Sequence, residues 1–247
     1  MKRLISLVAV FVALFACSAQ ADTKRIEEKF TIRNGITYHM HRNDVITAEK
    51  EYGTEGSMRD DVMTVLDSES SNGWSSYVDT VRYWPSGGVL GKNSGILNYI
   101  FDDNEQLIGL FYSISHGDND KNFYPGSEAQ TDYKRIRSNL IEKYGEPIGE
   151  VKNGNGKLLG AHTHRYLQAA SFEDVIYTYS NCTQWLVQYD DCYCIIELLI
   201  QDSIMEMMSL AGYVQNLSLA YRLVDQNELN MLMNETQQRI NEKNRDI

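Results

Sequence analysis

Four of the five histidines in this chain stand in two His-x-His pairs, a spacing that suggests metal chemistry. The pairs are His39 with His41 and His162 with His164. Side chains two residues apart on a β-strand point the same way, so each pair could present two imidazoles to one zinc or copper ion. A complete site needs a third ligand, which the sequence does not signal, and exposed histidines at strand edges are the alternative. We keep a metal-dependent hydrolase that uses one pair as the alternative function and expect no cofactor.

Two of the three cysteines beyond residue 21, Cys192 and Cys194, are interpreted as buried structural thiols. Cys192 and Cys194 have one residue between them, whereas a redox Cys-x-x-Cys motif has two. If Asp190-Asp191 forms a two-residue turn, both thiols fall on a nearly all-apolar strand face, where free cysteine packs as a small hydrophobic residue. With another hairpin turn at Asn181-Cys182, an extended strand separates Cys182 from Cys192 by roughly 20 Å. A disulfide requires Cα atoms within about 7 Å, so we expect no bridge to Cys182.

The acidic segment Asp118-Asn119-Asp120, with Asn122, is a further group of potential metal ligands. A calcium-binding EF-hand would need glycine where Phe123 stands and glutamate where Ala129 stands. Because Asp and Asn also favour turns, a polar turn is the better interpretation. The sequence also has no Gly-x-Ser-x-Gly elbow, no His-Glu-x-x-His pair and no phosphate-binding glycine loop. These observations favour a protein that is not an enzyme.

Three helices are predicted from apolar residues that recur every three or four positions. The strongest spans Thr131 to Tyr144 and ends at Gly145, which can take the left-handed conformation of a helix C-cap. A weaker helix begins with Asn43 as its N-cap and ends at Gly53. The last helix runs from about Gln226 to Asn241.

Strands are predicted between the helices from alternating apolar residues bounded by turn formers. They cover residues 77–84, 97–103, 106–114, 157–168, 172–179, 185–191, 192–201 and 217–224. The segment 97–103 is echoed by 185–191, and the Tyr-Gly helix ends at 52–53 and 144–145 recur at a similar period of about 90 residues. The sequence therefore predicts an α+β fold of two tandem repeats, each a helix followed by an antiparallel meander. The repeats would form a sheet with helices on one face, plus a C-terminal helix.

This arrangement resembles a known family. A helix that closes in Tyr144-Gly145-Glu146-Pro147 and leads into a meander is preceded by a weaker copy that opens at Gly35 and Met40. The pattern is similar to the tandem helix-plus-meander architecture of the β-lactamase inhibitor protein family. It also resembles the small outer-membrane lipoprotein of the barrel-assembly machinery, which has one such unit. The resemblance covers roughly residues 30 to 201, and it implies a continuous sheet with helices on one face and a role in protein binding without catalysis.

The first 21 residues read as a cleavable bacterial secretion signal. A basic start at Lys2 and Arg3 precedes an apolar stretch and the small-x-small cleavage site Ala19-Gln20-Ala21. We expect cleavage after Ala21 and a mature protein that is secreted or periplasmic. The predicted segments are the signal peptide 1–21, the first helix-plus-meander repeat 22–125, the second repeat 126–225 and the C-terminal helix 226–247.

A lipid anchor is the alternative fate of the amino terminus. Leu14-Phe15-Ala16-Cys17 resembles the lipobox of bacterial lipoproteins, although Phe15 replaces the small residue usual there, and acylation would then fall on Cys17. The apolar stretch is shorter than the roughly 20 residues that span a bilayer, and no later segment approaches that length. We therefore expect no transmembrane span.

The charge balance excludes one class of partner. Removal of the signal takes away two of the 23 basic residues and leaves 21 against 34 acidic residues, a net charge of about −13. Phosphate backbones are bound by clustered Lys and Arg, so nucleic acid is not an expected partner. The expected partner is another extracytoplasmic protein.

A sheet face of mixed composition is the predicted binding surface. In both hairpins one face is apolar and should pack under the helices. The other face sets apolar residues among Asn98, Gln184, Gln188 and Glu197, and the apolar ones are Ile100, Leu107, Phe111, Leu186, Tyr193, Ile195 and Leu199. An open face of this kind has the composition of an interface. The alternative is that the helix from Gln226 covers it.

Overall fold

The computed structural model describes residues 23–32, 35–54, 56–66, 74–85, 88–92, 95–118, 128–152, 155–159, 175–207 and 210–243. Within these residues the protein is an α+β fold with an open, mostly antiparallel β-sheet. Its helices are α1 (Arg42–Tyr52), α2 (Glu128–Tyr144) and α3 (Gln226–Lys243).

The sheet contains ten described strands. They are β1 (Lys24–Arg25), β2 (Gly56–Leu66), β3 (Trp74–Pro85), β4 (Ile96–Phe101), β5 (Leu107–Asp118), β6 (Gly149–Lys152), β7 (Asn155–Lys157), β8 (Val175–Gln188), β9 (Tyr193–Met207) and β10 (Leu210–Val224). Their order across the sheet is β2-β3-β4-β5-β10-β9-β8-β6-β7, and β1 pairs with β8 in parallel.

The two halves of the chain meet where β5 pairs with β10. The pairing is antiparallel and runs from Gly109 opposite Arg222 to Asp118 opposite Tyr213. On one side of this junction lie β4, β3 and β2, and on the other lie β9, β8 and β6. Because β5 and β10 share a hydrogen-bonded ladder, the two halves form one continuous sheet.

The strand segments that match in the sequence do not take equivalent places in the sheet. Counted outward from the β5–β10 junction, β4 is the second strand on its side, whereas β8 is the third. The two helix ends are alike in conformation, because Gly53 and Gly145 are both left-handed, with φ of 73° and 83°. The match between segments 97–103 and 185–191 therefore does not identify equivalent strands.

Helix α2 forms because its apolar residues recur every three or four positions and meet the sheet. Its buried residues include Ala129, Tyr133, Ile136, Leu140 and Tyr144. The helix begins at Glu128, three residues before the predicted start. An acidic residue in the first turn is favoured by the helix dipole. At the other end the Trp185 indole donates a hydrogen bond to the Gly145 carbonyl at 3.0 Å, which ties the helix end to β8.

Helix α1 has nearly the predicted extent but a different N-cap. His41 precedes the helix in extended conformation, and its Nδ1 accepts a hydrogen bond from the Asn43 amide at 3.3 Å. The prediction that Asn43 is the N-cap is wrong, because Asn43 already lies in the first turn. Val45 is buried against the sheet, and Gly53 ends the helix as predicted.

The main hydrophobic core lies between the sheet and the helices α1 and α2. It includes Val45 of α1 and Leu140 of α2 together with strand residues Leu97, Tyr99, Phe101, Leu110, Trp185, Ile196 and Leu198. Side chains alternate between faces along a strand, so each of these strands also presents a second set of side chains to the opposite face.

A β-bulge moves one predicted surface residue into this core. Phe101 faces Leu107 across the hairpin while Ile100 faces Gly109, so Ile108 is the extra residue on β5. Leu107 therefore lies with Phe101 in the main core and is fully buried. The prediction that Leu107 belongs to the opposite face is wrong, because a bulge reverses the alternation beyond it.

Strand β8 is longer than predicted and contains no turn at Asn181-Cys182. It runs without a break from Val175 to Gln188, with a register shift between Tyr179 and Asn181. The turn at Asp190-Asp191 is confirmed, since the Tyr189 amide donates to the Cys192 carbonyl at 2.8 Å. Residues 160–174, which include part of two predicted strands, lie outside the described residues.

Helix α3 packs on the sheet face opposite to α1 and α2. Its Leu229 and Leu232 form a second apolar cluster with Ile195 of β9 and Val224 of β10. Ile195 alternates with Ile196 of the main core, which places the two clusters on opposite faces. Asp225 caps the helix by accepting a hydrogen bond from the Glu228 amide at 2.8 Å.

Candidate functional site

The predicted binding face is not open at the residues that define it. Ile100, Phe111, Ile195 and Leu199 are buried, and Leu186 and Tyr193 are half-buried. Leu107 lies in the main core. The expectation of a solvated face at these seven positions is therefore wrong.

Helix α3 accounts for the burial on one part of this face. Leu186 and Tyr193 pack at the edge of the cluster formed by Ile195, Val224, Leu229 and Leu232. The Tyr193 hydroxyl also donates a hydrogen bond to the Gln226 side chain at 2.6 Å. The alternative that the C-terminal helix covers the face is thus correct around Ile195.

Two polar residues of the same face belong to a buried network. Gln184 donates from Nε2 to Glu197 Oε1 and to the Leu159 carbonyl, both at 2.9 Å, and its Oε1 accepts from the Leu159 amide at 2.6 Å. Gln184 and Glu197 are both almost fully buried. A buried amide that is hydrogen-bonded in this way fixes the neighbouring segment in place and is not available to a partner.

The outward side of α3 carries no charge among the side chains that the structure describes as exposed. Every exposed residue of α3 whose side chain the structure describes is uncharged: Gln226, Asn227, Asn230, Met231, Met233, Asn234, Gln237, Gln238 and Asn241. Met231 is 58% exposed and Met233 40% exposed. We call this surface the α3 outer face. Methionine and amide side chains adapt to varied contacts, and interface centres are depleted in charge.

A second candidate, which we call the α2 charge cluster, lies at the start of α2. It consists of Lys92, His116, Glu128, Asp132 and Arg135. Lys92 Nζ lies 2.5 Å from Glu128 Oε1 and 2.9 Å from Asp132 Oδ2. Arg135 lies 3.2 Å from Asp132 Oδ1 and also donates to the Leu90 carbonyl at 2.8 Å. The cluster therefore ties α2 to the turn that precedes β4.

His116 completes the cluster from β5. It follows Leu110, Tyr112 and Ile114 at intervals of two, which places it on the face under α2. Its Nε2 lies 3.6 Å from Asp132 Oδ2, and its Nδ1 lies 3.9 Å from Glu128 Oε2. Nε2 is buried and makes no hydrogen bond within the described residues, whereas Asp132 Oδ2, also buried, is paired with the Lys92 ammonium at 2.9 Å.

The electrostatics of the cluster keep both carboxylates ionised. Burial would raise the pKa of Asp132, but the contacts with Lys92 and Arg135 lower it below its ordinary value. The contact with Lys92 also lowers the pKa of Glu128, and both carboxylates raise the pKa of Lys92. Ionised carboxylates beside an imidazole are a ligand set for a divalent metal ion.

The His-x-His pair that the structure describes does not have the geometry of a metal site. His39 has a left-handed backbone (φ 62°), and its ring stacks on Tyr38 with centroids 3.8 Å apart. The Nδ1 atom of His41 caps α1, and its Nε2 lies 3.1 Å from Glu105. The shared strand face that the metal hypothesis requires is absent here. His162 and His164 lie outside the described residues.

The other sequence candidates are placed as follows. Asp118 ends β5, and residues 119–127 lie outside the described residues. Cys192 and Cys194 are buried, as predicted, and Cys182, which the sequence placed at a turn, is buried as well. All three thiols are free. Burial raises the pKa of all three thiols, so none of them is a reactive thiolate near neutral pH.

The α2 charge cluster was missed by sequence reasoning because its members are far apart in the chain. One signal was available: Glu128 and Asp132 are four residues apart on a helix, so they share a face. The approach of Lys92 and His116 depends on the pairing of β4 with β5 and on the docking of α2. Neither can be read from local spacing.

No helix within the described residues combines the length and apolar character of a membrane span. Comparison with known proteins finds no matching family model, no matching curated protein and no matching solved structure.

Proposed function

We propose that this chain is an exported, non-enzymatic module that binds another extracytoplasmic protein through the α3 outer face. The observation that carries the proposal is that every α3 side chain described as exposed is uncharged, in a chain whose formal net charge is −11. Surfaces that stay in water are normally rich in Lys and Glu, whereas interface centres favour methionine and exclude charge. The partner is a different protein with a neutral or basic surface, because two copies of so acidic a chain repel each other.

The architecture supports a binding role in a second way. In the proposed duplication, the repeats consist of α1 with β2–β5 and α2 with β6–β10, joined edge to edge at the β5–β10 junction. The corresponding strands would be β2 with β6, β3 with β8, β4 with β9 and β5 with β10, and β7 would be an addition. This arrangement is the one implied by the resemblance to the tandem helix-plus-meander family, whose role is protein binding or envelope assembly.

A capture experiment with a single surface variant tests the proposal. The chain that begins at Asp22 is incubated with envelope and culture-supernatant proteins, crosslinked and analysed by quantitative mass spectrometry, beside Met231→Asp. We expect at least one partner to be lost with Met231→Asp while the free energy of unfolding changes by less than about 0.5 kcal/mol, because Met231 is exposed. The captured partner is then purified and titrated with both proteins by calorimetry.

A matched control places the same charge on another surface. Tyr52→Asp alters an exposed residue at the end of α1, on the opposite side of the sheet, and should leave capture unchanged. Equal capture by the parent chain and Met231→Asp would contradict the proposal. The proposal would also be wrong if the only association that Met231→Asp abolishes is that of the chain with a second copy of itself.

The intact mass of the exported protein tests the predicted cleavage site. A chain that begins at Asp22 is expected, and a diacylated chain that begins at Cys17 would identify a lipoprotein.

A further inference from the structure

The two buried atoms that face each other in the α2 charge cluster are spaced like ligands of a metal ion. His116 Nε2 and Asp132 Oδ2 are 3.6 Å apart, too far for a hydrogen bond between them. Two ligands held at about 2.1 Å from a tetrahedral zinc ion lie about 3.4 Å apart. The separation therefore fits a shared ion with little movement of either side chain.

Glu128 supplies the third ligand. Potential ligand atoms of His116, Glu128 and Asp132 all lie within 4.8 Å of one another. Glu128 stands one helical turn before Asp132, and its side chain is 69% exposed, so its carboxylate can turn toward an ion that Asp132 and His116 hold. Asp132 itself is a more rigid ligand because only 7% of its side chain is exposed.

The Lys92 ammonium shows that a cation is stabilised at this place. It contacts both carboxylates, and it is carried on a flexible side chain in a turn, where it is 26% exposed. The ammonium can therefore move into water without disturbing a strand or helix. Lys92 and a divalent ion would compete for the same two carboxylates.

We propose that His116, Glu128 and Asp132 form a binding site for a divalent transition-metal ion, with zinc as the best fit, which displaces Lys92. One imidazole and two carboxylates suit zinc, whereas magnesium and calcium prefer oxygen ligands alone. The bound ion would cross-link β5 to the first two turns of α2. The fourth position would be open to water or to a group of a partner.

Zinc titration of protein purified without a His tag tests this site. We expect one zinc ion per chain by calorimetry, an increase in the thermal midpoint with zinc, and no such effect of magnesium. Lys92→Met removes the competing ammonium and should tighten zinc binding by about tenfold, since about 1.4 kcal/mol of repulsion corresponds to that factor. A purely structural ion-pair cluster would instead be weakened by Lys92→Met and would gain no zinc affinity.

Ligand variants locate the ion. His116→Gln and Glu128→Gln should each weaken zinc binding by about tenfold or more, because each variant removes one ligand of the ion. Glu128 is exposed, so its variant keeps the test valid even if a change at His116 disturbs folding. His39→Gln with His41→Gln, and His162→Gln with His164→Gln, are the controls and should bind zinc like the parent chain. Absence of zinc binding in both the parent chain and Lys92→Met would overturn the proposal, as would binding that survives His116→Gln and is lost in a His-x-His variant.

Discussion

Among single residues, the buried thiols determine how the fold should respond to alkaline pH. Burial raises the pKa of Cys182 and Cys194, and at Cys192 burial acts together with the neighbouring Asp191 carboxylate. A thiol whose pKa is raised in the folded state contributes stability below its unfolded pKa of about 8.5 and loses that contribution as the pH rises. The free energy of unfolding should therefore fall from about pH 8.5 upward.

Thiol labelling and denaturant melts measure this effect. In the chain that begins at Asp22, we expect none of the three thiols to react promptly with a disulfide reagent at pH 8, and all three to react in denaturant, because only the thiolate is nucleophilic. Cys194→Ala should reduce the loss of stability between pH 8 and pH 10. Prompt labelling of any of the three in the folded protein would contradict their burial.

Among helices and strands, the features that the sequence predicts correctly are those determined by neighbouring residues in the chain. The end of α2 at Gly145 follows from the left-handed cap, and the turn at Asp190-Asp191 follows from two residues that favour turns. Strand β2 was not predicted because Arg59-Asp60-Asp61 interrupts the alternation expected of a strand; its place depends on pairing with β3. The bulge that moves Leu107 into the core depends on the pairing of two strands, so alternation alone gave it the wrong face.

The same limit applies to the site residues. The apolar character of Ile195 was evident, but whether α3 or water covers it depends on where the helix docks. Conversely, the uncharged α3 outer face could have been noted from the amide-rich sequence after Gln226, once the direction of Leu229 and Leu232 was known. Sequence thus identified the apolar residues and left open which of them a neighbouring element buries.

The covered sheet face can be tested through one of its buried aromatic residues. Phe111 is only 6% exposed, so Phe111→Ser should lower the free energy of unfolding by about 3 to 5 kcal/mol, the cost of emptying a large buried site. Tyr193→Ser should cost about 1 to 2 kcal/mol, because Tyr193 is half-buried and loses mainly its hydrogen bond to Gln226. Urea unfolding measures both. A change below about 1 kcal/mol for Phe111→Ser would instead indicate an open face.

For the whole molecule, the close approach of β5 and β10 is what unites the two halves. A Cβ atom on Gly109 would lie 2.9 Å from the backbone oxygen of Tyr221, nearer than such atoms approach, and a backbone oxygen cannot turn away as a side chain can. Gly109→Ala should therefore destabilise the protein by about 1 to 3 kcal/mol through forced separation of the strands. In an unconstrained strand the same change is neutral or stabilising.

A control on the same strand isolates the effect of the junction. Ser113→Ala adds no atom toward β10 and removes only a 3.4 Å contact with Ser218, so it should cost less than about 1 kcal/mol in a thermal or urea melt. Hydrogen exchange should also show faster opening of β5 and β10 in Gly109→Ala than in Ser113→Ala. Equal behaviour of the two variants would show that the junction tolerates the extra methyl group.

The pairing of β5 with β10 also sets an order of assembly during synthesis. Strand β5 is complete early, but its partner follows roughly 90 residues later, and at about 5 to 20 residues per second the wait lasts roughly 5 to 20 s. During that interval the growing chain carries a twelve-residue strand with one unpaired edge, the kind of edge that recruits other chains. Pairing with β10 ends that interval, because it hydrogen-bonds the open edge of β5.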